Sequence, residues 1–205
     1  MKNNKEVKAV VKETIILTAI TLIAGLMLGF IYELTKEPIA LQQEKAVQSA
    51  CMAVFPAQSG QEVKFNKTQY TPSEELKGKL SENGVSIGAV FEAVSEGELQ
   101  GYVVETTSSE GYGGNIVLYV GVTLEGKIND VSILSISETP GLGMQAQKVL
   151  VPQFHEKIVP QFSFTKNGSQ SDSEIDAISG ATITTKAVTN AVNGALSMAA
   201  ELNHQ

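Results

Sequence analysis

The stretch Asp176-Ala177-Ile178-Ser179-Gly180-Ala181-Thr182 places hydroxyl, glycine and small side chains directly before a helical pattern. Two more hydroxyls follow at Thr184 and Thr185. A helix that begins here presents free backbone N–H groups and the positive end of its dipole. Together with the hydroxyls, these groups can bind a phosphate. Taken alone, the stretch also fits an ordinary N-cap, in which Ser179 or Thr182 caps a surface helix.

Two further segments are rich in glycine and lie between predicted elements. One is Gly111-Tyr112-Gly113-Gly114-Asn115, and the other is Glu138-Thr139-Pro140-Gly141-Leu142-Gly143. Glycines at this density let a backbone approach a ligand closely. Each segment by itself also fits a turn. With the start of the C-terminal helix, they make three candidate contacts around one pocket.

The composition limits how a ligand can be held. The formal net charge is −7, which disfavours nucleic acid as a partner. No arginine is present, so a phosphate would be held by backbone amides, hydroxyls, a lysine or a covalent bond. The single cysteine, Cys51, excludes a disulfide framework and a cysteine-ligated iron–sulfur cluster and fits a small core residue. Any redox chemistry therefore requires an organic cofactor.

The elements that must position these residues indicate an α+β domain with an antiparallel sheet and packed helices. Four segments have strand patterns: Val85–Phe91, Leu99–Glu105, Asn115–Leu124 and Lys127–Ile136. Turns are predicted at Gly97 and Gly126. A helical pattern over Leu142–Ile158, with apolar Val149 and Ile158, is interrupted at Pro152, and Lys166–Ser173 reads as a polar loop. The apolar face of the C-terminal helix comprises Val188, Val192, Leu196, Ala199 and Leu202.

The N-terminal part predicts a membrane anchor. No charged residue lies between Thr14 and Tyr32, a length that spans the hydrocarbon core as a helix. Four lysines precede it (Lys2, Lys5, Lys8 and Lys12), so the N-terminus is expected in the cytoplasm and the rest outside. A cleaved signal peptide is the alternative, but no small-residue cleavage site follows.

A second helical pattern begins at Pro38 and ends at Pro56. Residues 58–84 read as a polar loop, with one strand near Val63–Phe65. The predicted organisation is therefore a cytoplasmic N-terminus (1–13), a transmembrane helix (14–34), a stalk helix with a polar connection (35–84), and the domain (85–205).

The three motifs resemble those of the membrane-anchored FMN-binding domain family. Asp176-x-x-Ser179-Gly180-Ala181-Thr182 is similar to its flavinylation motif, D-x-x-(S/T)-G-A-T. Glu138–Gly143 resembles its ETPGLG signature, and Gly111–Ile116 resembles GYGGPI, with Asn115 where proline is common. Ile136-Ser137 stands where many members carry a histidine, so no histidine is assigned to flavin chemistry. Size and layout resemble the G subunits of Rnf complexes, which are related to the C subunit of the sodium-translocating NADH:quinone reductase.

This resemblance implies a function and a cofactor. Rnf complexes pass electrons between reduced ferredoxin and NAD⁺ and couple this to Na⁺ or H⁺ translocation. Their G subunit is a flavoprotein on the outer side of the cell membrane, to which an FMN transferase attaches FMN, taken from FAD, through its phosphate. The implied acceptor is Thr182. The other implied cofactor-binding residues are Ser179, Gly180, Ala181, Thr184, Thr185, Glu138, Thr139, Leu142 and Tyr112.

Several alternatives stay open from the sequence. The resemblance implies an electron-carrying subunit, with the other Rnf subunits, the transferase and membrane lipid as partners and without independent catalysis. A membrane-anchored flavin-bearing reductase or sensor of another respiratory system would use the same domain. A noncatalytic anchored assembly protein is disfavoured by the three motifs. Asp176 fits either attachment or a structural cap, Tyr112 fits either stacking on the flavin or a turn, and Lys186 fits either the phosphate or a solvated helix face.

Overall fold

The computed structural model describes residues 3–56 and 62–204. Its first element is one long helix, α1 (Asn3–Val54). Within the described ranges, α1 is the one helix long and apolar enough to cross a membrane, with an exposed window of mean hydropathy 2.4 in Val10–Val54. Pro38 lies inside α1, so the new helix expected there does not form. A proline inside a helix removes one N–H donor and crowds the carbonyl of the preceding turn, but α1 continues through it. Lys2, from the predicted charged flank, lies outside the described residues.

The chain divides into two units, of which the first extends to Val47 and the second begins at Gln48. The second unit contains a five-stranded sheet in the order β1-β2-β3-β4-β5, in which all neighbours are antiparallel. The strands are β1 (Val63–Lys67), β2 (Val85–Ser95), β3 (Glu98–Ser108), β4 (Ile116–Thr123) and β5 (Ile128–Ser135). The predicted α+β class, the strand near Val63 and both hairpin turns are confirmed. Glu96 and Gly97 have φ of 54° and 86°, the left-handed pair that a tight hairpin requires.

One face of the sheet packs on the long C-terminal helix, α5 (Thr182–Asn203). Val188 and Val192 of α5 are fully buried with Val104 and Val120 of the sheet, as the apolar periodicity predicts. This layer is the main core of the domain. It fixes where α5 begins relative to the strand ends.

The other face of the sheet carries the end of α1. Cys51 and Val54 are buried there, and the Asn129 side chain donates a 2.8 Å hydrogen bond to the Val54 carbonyl oxygen. Gly121 allows this approach, because a Cβ at that position would collide with the same carbonyl oxygen. A buried Cys51 agrees with its predicted core role.

The half-buried carboxylate of Glu105 accepts hydrogen bonds where the pairing of β2 and β3 is irregular. The register of β2 against β3 shifts between Ile87 and Val90. Glu105 accepts hydrogen bonds there from the Ala89 N–H (3.3 Å) and the Tyr119 hydroxyl (3.1 Å). Burial, together with the nearby Glu105 charge, raises the pKa of the Tyr119 hydroxyl, so it stays protonated and donates.

Three segments differ from the sequence prediction. Helix α2 (Glu74–Glu82) lies where a loop was expected, with Leu76 and Leu80 as its buried residues. Residues 57–61 of that predicted loop lie outside the described residues. A parallel pair, β6 (Ser163–Thr165) and β7 (Glu174–Asp176), flanks the predicted polar loop.

The helical pattern over Leu142–Ile158 forms short pieces. They are a 3₁₀ turn (Gly143–Gln145), α3 (Ala146–Val149) and α4 (Val151–Phe154), so the interruption near Pro152 is confirmed. Val149 and Ile158, expected on the apolar face, are exposed because a broken helix does not keep one continuous face.

Candidate functional site

The first turn of α5 has no side-chain cap. Its N-cap residue is Ala181, and neither Ser179 nor Thr182 caps the helix. Within the described residues, the N–H groups of Thr182, Ile183 and Thr184 have no hydrogen-bond partner. The turn before the helix needs glycine at position 180, where φ is 77°. The helix therefore begins with unpaired donors, which is the arrangement that favours an anion.

The three threonine hydroxyls of this turn differ in their surroundings. Thr185 is fully buried, and its hydroxyl donates to the Ala181 carbonyl oxygen (3.0 Å) and accepts from the Ile178 N–H (3.1 Å). Thr184 is 1% exposed, and its hydroxyl donates to Glu138. Thr182 is half-buried, and its hydroxyl has no partner in the described part of the chain. Of the three, Thr182 alone offers a hydroxyl that is accessible and uncommitted.

Glu138 connects the three motifs. Its side chain is buried, with 6% exposed. One carboxylate oxygen accepts the Gly113 N–H at 3.1 Å, and the other accepts the Thr184 hydroxyl at 2.8 Å. The glycine loop, the segment after β5 and the start of α5 thus meet at one side chain.

These segments enclose a cavity of about 510 Å³, within the size range of small-molecule sites. Its lining residues are Tyr112, Glu138, Thr139, Leu142, Gly143, Gly180, Ala181, Thr182, Ile183 and Thr184. The unpaired N–H groups and the Thr182 hydroxyl lie at this cavity. It therefore fits a ligand that combines a phosphate with a largely apolar ring.

The apolar side chains at the rim are accessible to a ligand. Tyr112 is 71% exposed, Leu142 is 40% exposed and Ile183 is 51% exposed. Thr139 is also exposed, and its carbonyl oxygen accepts the N–H groups of Leu142 and Met144.

Sequence reasoning did not select Ile183 as a site residue. Ile183 lies off the buried face of α5, since Val188 and Val192 define a different side of the helix. The signal that could have identified Ile183 was its position as an apolar residue next to Thr182, in the first turn of a helix that favours a phosphate.

Two residues of the motif region serve other contacts. The Asp176 carboxylate accepts the Ser169 N–H and so holds the loop between β6 and β7. Lys186 forms an ion pair with Glu110 at 3.0 Å, and it is not among the cavity residues. Ser179 is exposed, and neither it nor Thr185 lines the cavity.

Comparison with known proteins agrees with this geometry. Residues 111–197 match the FMN-binding domain, and residues 1–54 match the RnfG N-terminal region. The chain is 34% identical over 197 residues to the G subunit of the proton-translocating ferredoxin:NAD(+) oxidoreductase complex of Clostridium ljungdahlii, covering 96% of this chain and 95% of that protein. It is 32% identical over 195 residues to the Na(+)-translocating counterpart of Acetobacterium woodii, covering 91% and 89%. The chain belongs to the RnfG family.

The RnfG assignment agrees with both parts of the molecule. The matched FMN-binding domain begins at Gly111 and contains all three motifs that line the cavity. The matched N-terminal region coincides with α1, the helix that is long and apolar enough to cross a membrane. The crystal structure of Shewanella oneidensis NqrC is 24% identical and aligns with a TM-score of 0.44 over 51% of this chain and 53% of that one.

Proposed function

We propose that this chain is the flavin-carrying, electron-transferring subunit of a membrane complex that couples ferredoxin:NAD⁺ oxidoreduction to translocation of Na⁺ or H⁺. Relatives that match it along most of their length are named as subunits of such complexes. The FMN-binding domain and the apolar helix α1 support a membrane-bound redox carrier. Its partners are then the other subunits of the complex.

We further propose that FMN is attached covalently, through its phosphate, to Thr182. The observation that carries this proposal is the difference among the three hydroxyls, because only that of Thr182 is free at the cavity. The unpaired N–H groups of the first turn of α5 would stabilise the phosphate, helped by the helix dipole, which contributes about 0.3–1 kcal/mol at an exposed site. No arginine is needed for such a link.

The attachment requires a transferase that uses FAD. The Thr182 oxygen forms a bond to the flavin-side phosphorus, and the bond from that phosphorus to the bridging oxygen of FAD breaks. AMP leaves with the electron pair, and the hydroxyl proton passes to a base of the transferase. The products are the flavinylated chain and AMP.

Other residues at the cavity would hold the two ends of the cofactor. Gly180 and Ala181 would leave room for the phosphate, while Leu142 and Tyr112 would contact the flavin ring and Thr139 could donate to it. FMN, when bound, supplies transfer of one or two electrons. A covalent link through the phosphate leaves the ring free to exchange them.

The proposed topology places the N-terminus in the cytoplasm and the FMN-binding domain on the outer side. The lysine excess before the uncharged stretch Thr14–Tyr32 supports it. With the domain outside the cytoplasm, a dissociated flavin would be lost, and a covalent bond prevents that loss.

The intact mass of the detergent-extracted chain tests the proposal. We expect a gain equal to FMN minus water, and a bare mass would refute covalent flavinylation. The purified flavoprotein should be reduced by dithionite but should not oxidise NADH by itself. Rapid NADH oxidation by the isolated chain would instead favour the stand-alone reductase.

A further inference from the structure

We propose that Glu138 is the positioning residue that makes Thr182 the flavin acceptor and sets the charge beside the flavin. The inference rests on the proposed function of the cavity. It assigns Glu138 a role beyond lining the cavity. Its carboxylate holds the loop at Gly113 and keeps the Thr184 hydroxyl engaged.

The first argument is the geometry of the two hydrogen bonds. Gly113 and Thr184 are 25 residues before and 46 residues after Glu138, and each bonds to a different carboxylate oxygen. Hydrogen bonds to a charged group are stronger than neutral ones and direct both partners. Losing Glu138 would therefore remove one hydrogen bond from the glycine loop and one from the first turn of α5 at the same time.

The second argument is that two motif glycines lie against the Glu138 carboxylate. A Cβ at Gly111 would lie 2.9 Å from a Glu138 carboxylate oxygen. A Cβ at Gly143 would lie 2.8 Å from the other oxygen and 2.5 Å from the Thr184 hydroxyl. A Cβ at Gly113 would collide with the carbonyl oxygen of Ser137. Gly111 and Gly143 therefore leave room for the carboxylate and the Thr184 hydroxyl, while Gly113 leaves room for the backbone next to Glu138.

The third argument concerns selectivity among the hydroxyls. With the carboxylate in place, the Thr184 hydroxyl donates inward and its side chain is 1% exposed. Without the carboxylate, that hydroxyl loses its acceptor at the same cavity that Thr182 lines. Glu138 thereby restricts attachment to Thr182.

The fourth argument is electrostatic. Glu138 lines the cavity, and reduction adds negative charge to a flavin. A fixed carboxylate at the cavity opposes that charge through its electrostatic field. Neutralising Glu138 should therefore raise the midpoint potential of the bound flavin.

The test uses the full chain, co-expressed with the FMN transferase, as wild type, Glu138→Ala, Glu138→Gln and the control Glu110→Gln. Glu110 directly precedes the glycine loop. Its carboxylate pairs with Lys186 and does not line the cavity. Three quantities are measured: the flavinylated fraction by in-gel fluorescence, the modified residue by peptide mass spectrometry, and the midpoint potential.

Glu138→Ala should reduce the flavinylated fraction on the order of tenfold, with part of the residual flavin on Thr184. Glu138→Gln can accept from Gly113 and donate to Thr184, so it should keep flavinylation within about twofold but raise the midpoint potential. Glu110→Gln should match the wild type in all three measurements.

Wild-type flavinylation of Glu138→Ala on Thr182 alone would overturn the proposal. If circular dichroism shows that Glu138→Ala is unfolded, Glu138→Gln decides, and an unchanged potential in that variant overturns the proposal. An unflavinylated wild-type chain would refute the proposed function itself, so the two failures are distinguishable.

Discussion

The hydroxyl of Thr185 accepts a hydrogen bond of 3.1 Å from the backbone N–H of Ile178, across the turn that precedes α5. The same hydroxyl donates to the Ala181 carbonyl oxygen at 3.0 Å. Both ends of the turn Ile178–Ala181 are therefore fixed by one buried side chain. This turn holds the proposed acceptor, Thr182, at the cavity and not within the core.

Thr182→Val should abolish covalent flavin while the domain stays folded. Valine matches threonine in shape, and the missing hydroxyl is the proposed acceptor. Ultraviolet-excited fluorescence on a denaturing gel, normalised to protein, measures the loss. Thr189→Val, at a buried threonine of α5 that does not line the cavity, is the matched control and should keep its flavin on Thr182. If the Thr182 variant kept its fluorescence, the assignment of the acceptor would be wrong.

A cysteine introduced at Asn167, in a Cys51→Ala background, should be labelled on intact cells by a membrane-impermeant maleimide. Asn167 is exposed in the loop between β6 and β7. The Cys51→Ala chain without the new thiol is the background control, which removes the buried native cysteine. Labelling that occurs only after cell lysis would place the domain in the cytoplasm and contradict the proposed topology.

Glu201→Gln should destabilise the domain at neutral pH and much less in acid. The Glu201 carboxylate accepts hydrogen bonds from the Tyr70 hydroxyl (2.6 Å) and from the Ser73 N–H (2.8 Å) and hydroxyl (2.7 Å). These bonds, led by that from Tyr70, lower the pKa of Glu201 in the folded state. A depressed folded pKa gives stability that is present above the unfolded pKa and is lost as pH falls through the folded pKa.

Urea unfolding of both proteins at about pH 7 and about pH 3 measures this effect. A loss of about 1 kcal/mol is expected at neutral pH, because the carboxylate is partly solvated. Glu125→Gln, at an exposed hairpin turn, is the control. An equal loss at both pH values would show that the carboxylate charge is not responsible.

Gly121→Ala should destabilise the domain by about 1–3 kcal/mol, because a side chain there overlaps the Val54 carbonyl oxygen. Gly78→Ala provides the opposite control. Gly78 lies in α2 with nothing near its Cβ position, so alanine should stabilise the domain by roughly 0.5–1 kcal/mol. Thermal unfolding of the two variants and the wild type measures the expected loss of stability in Gly121→Ala and the expected gain in Gly78→Ala. A neutral Gly121→Ala would mean that the end of α1 does not need this approach.

The elements that a local pattern defines could be predicted from the sequence. The apolar face of α5, with Val188 and Val192, is periodic over many residues and was predicted correctly. The hairpin around Gly97 follows from turn chemistry. By contrast, α2 has few apolar residues, and its start depends on the Ser73 side chain, which accepts the Leu76 N–H. A signal that short does not stand out within a polar segment.

The sequence indicated most of the residues that line the cavity, but not how they contact one another. The motifs near Tyr112, Glu138 and Thr182 do line one cavity. The sequence could not show that Glu138 bonds to Thr184, because the two are 46 residues apart and meet only through the tertiary fold. The motif resemblance singled out Thr182, but the burial of Thr185 depends on how α5 packs on the sheet and could not be predicted from the sequence.

The order of the elements along the chain also determines when the site can exist during biosynthesis. Strands β2–β4 leave the ribosome before α5, so the apolar face that α5 covers stays open until that helix has been made. The unpaired N–H groups and the Thr182 hydroxyl lie in the first turn of the same helix. A nascent chain interrupted within α5 lacks both a closed core and an acceptor in its folded setting. If FMN is attached as proposed, its loading depends on completion of α5, because the proposed acceptor lies in the first turn of that helix.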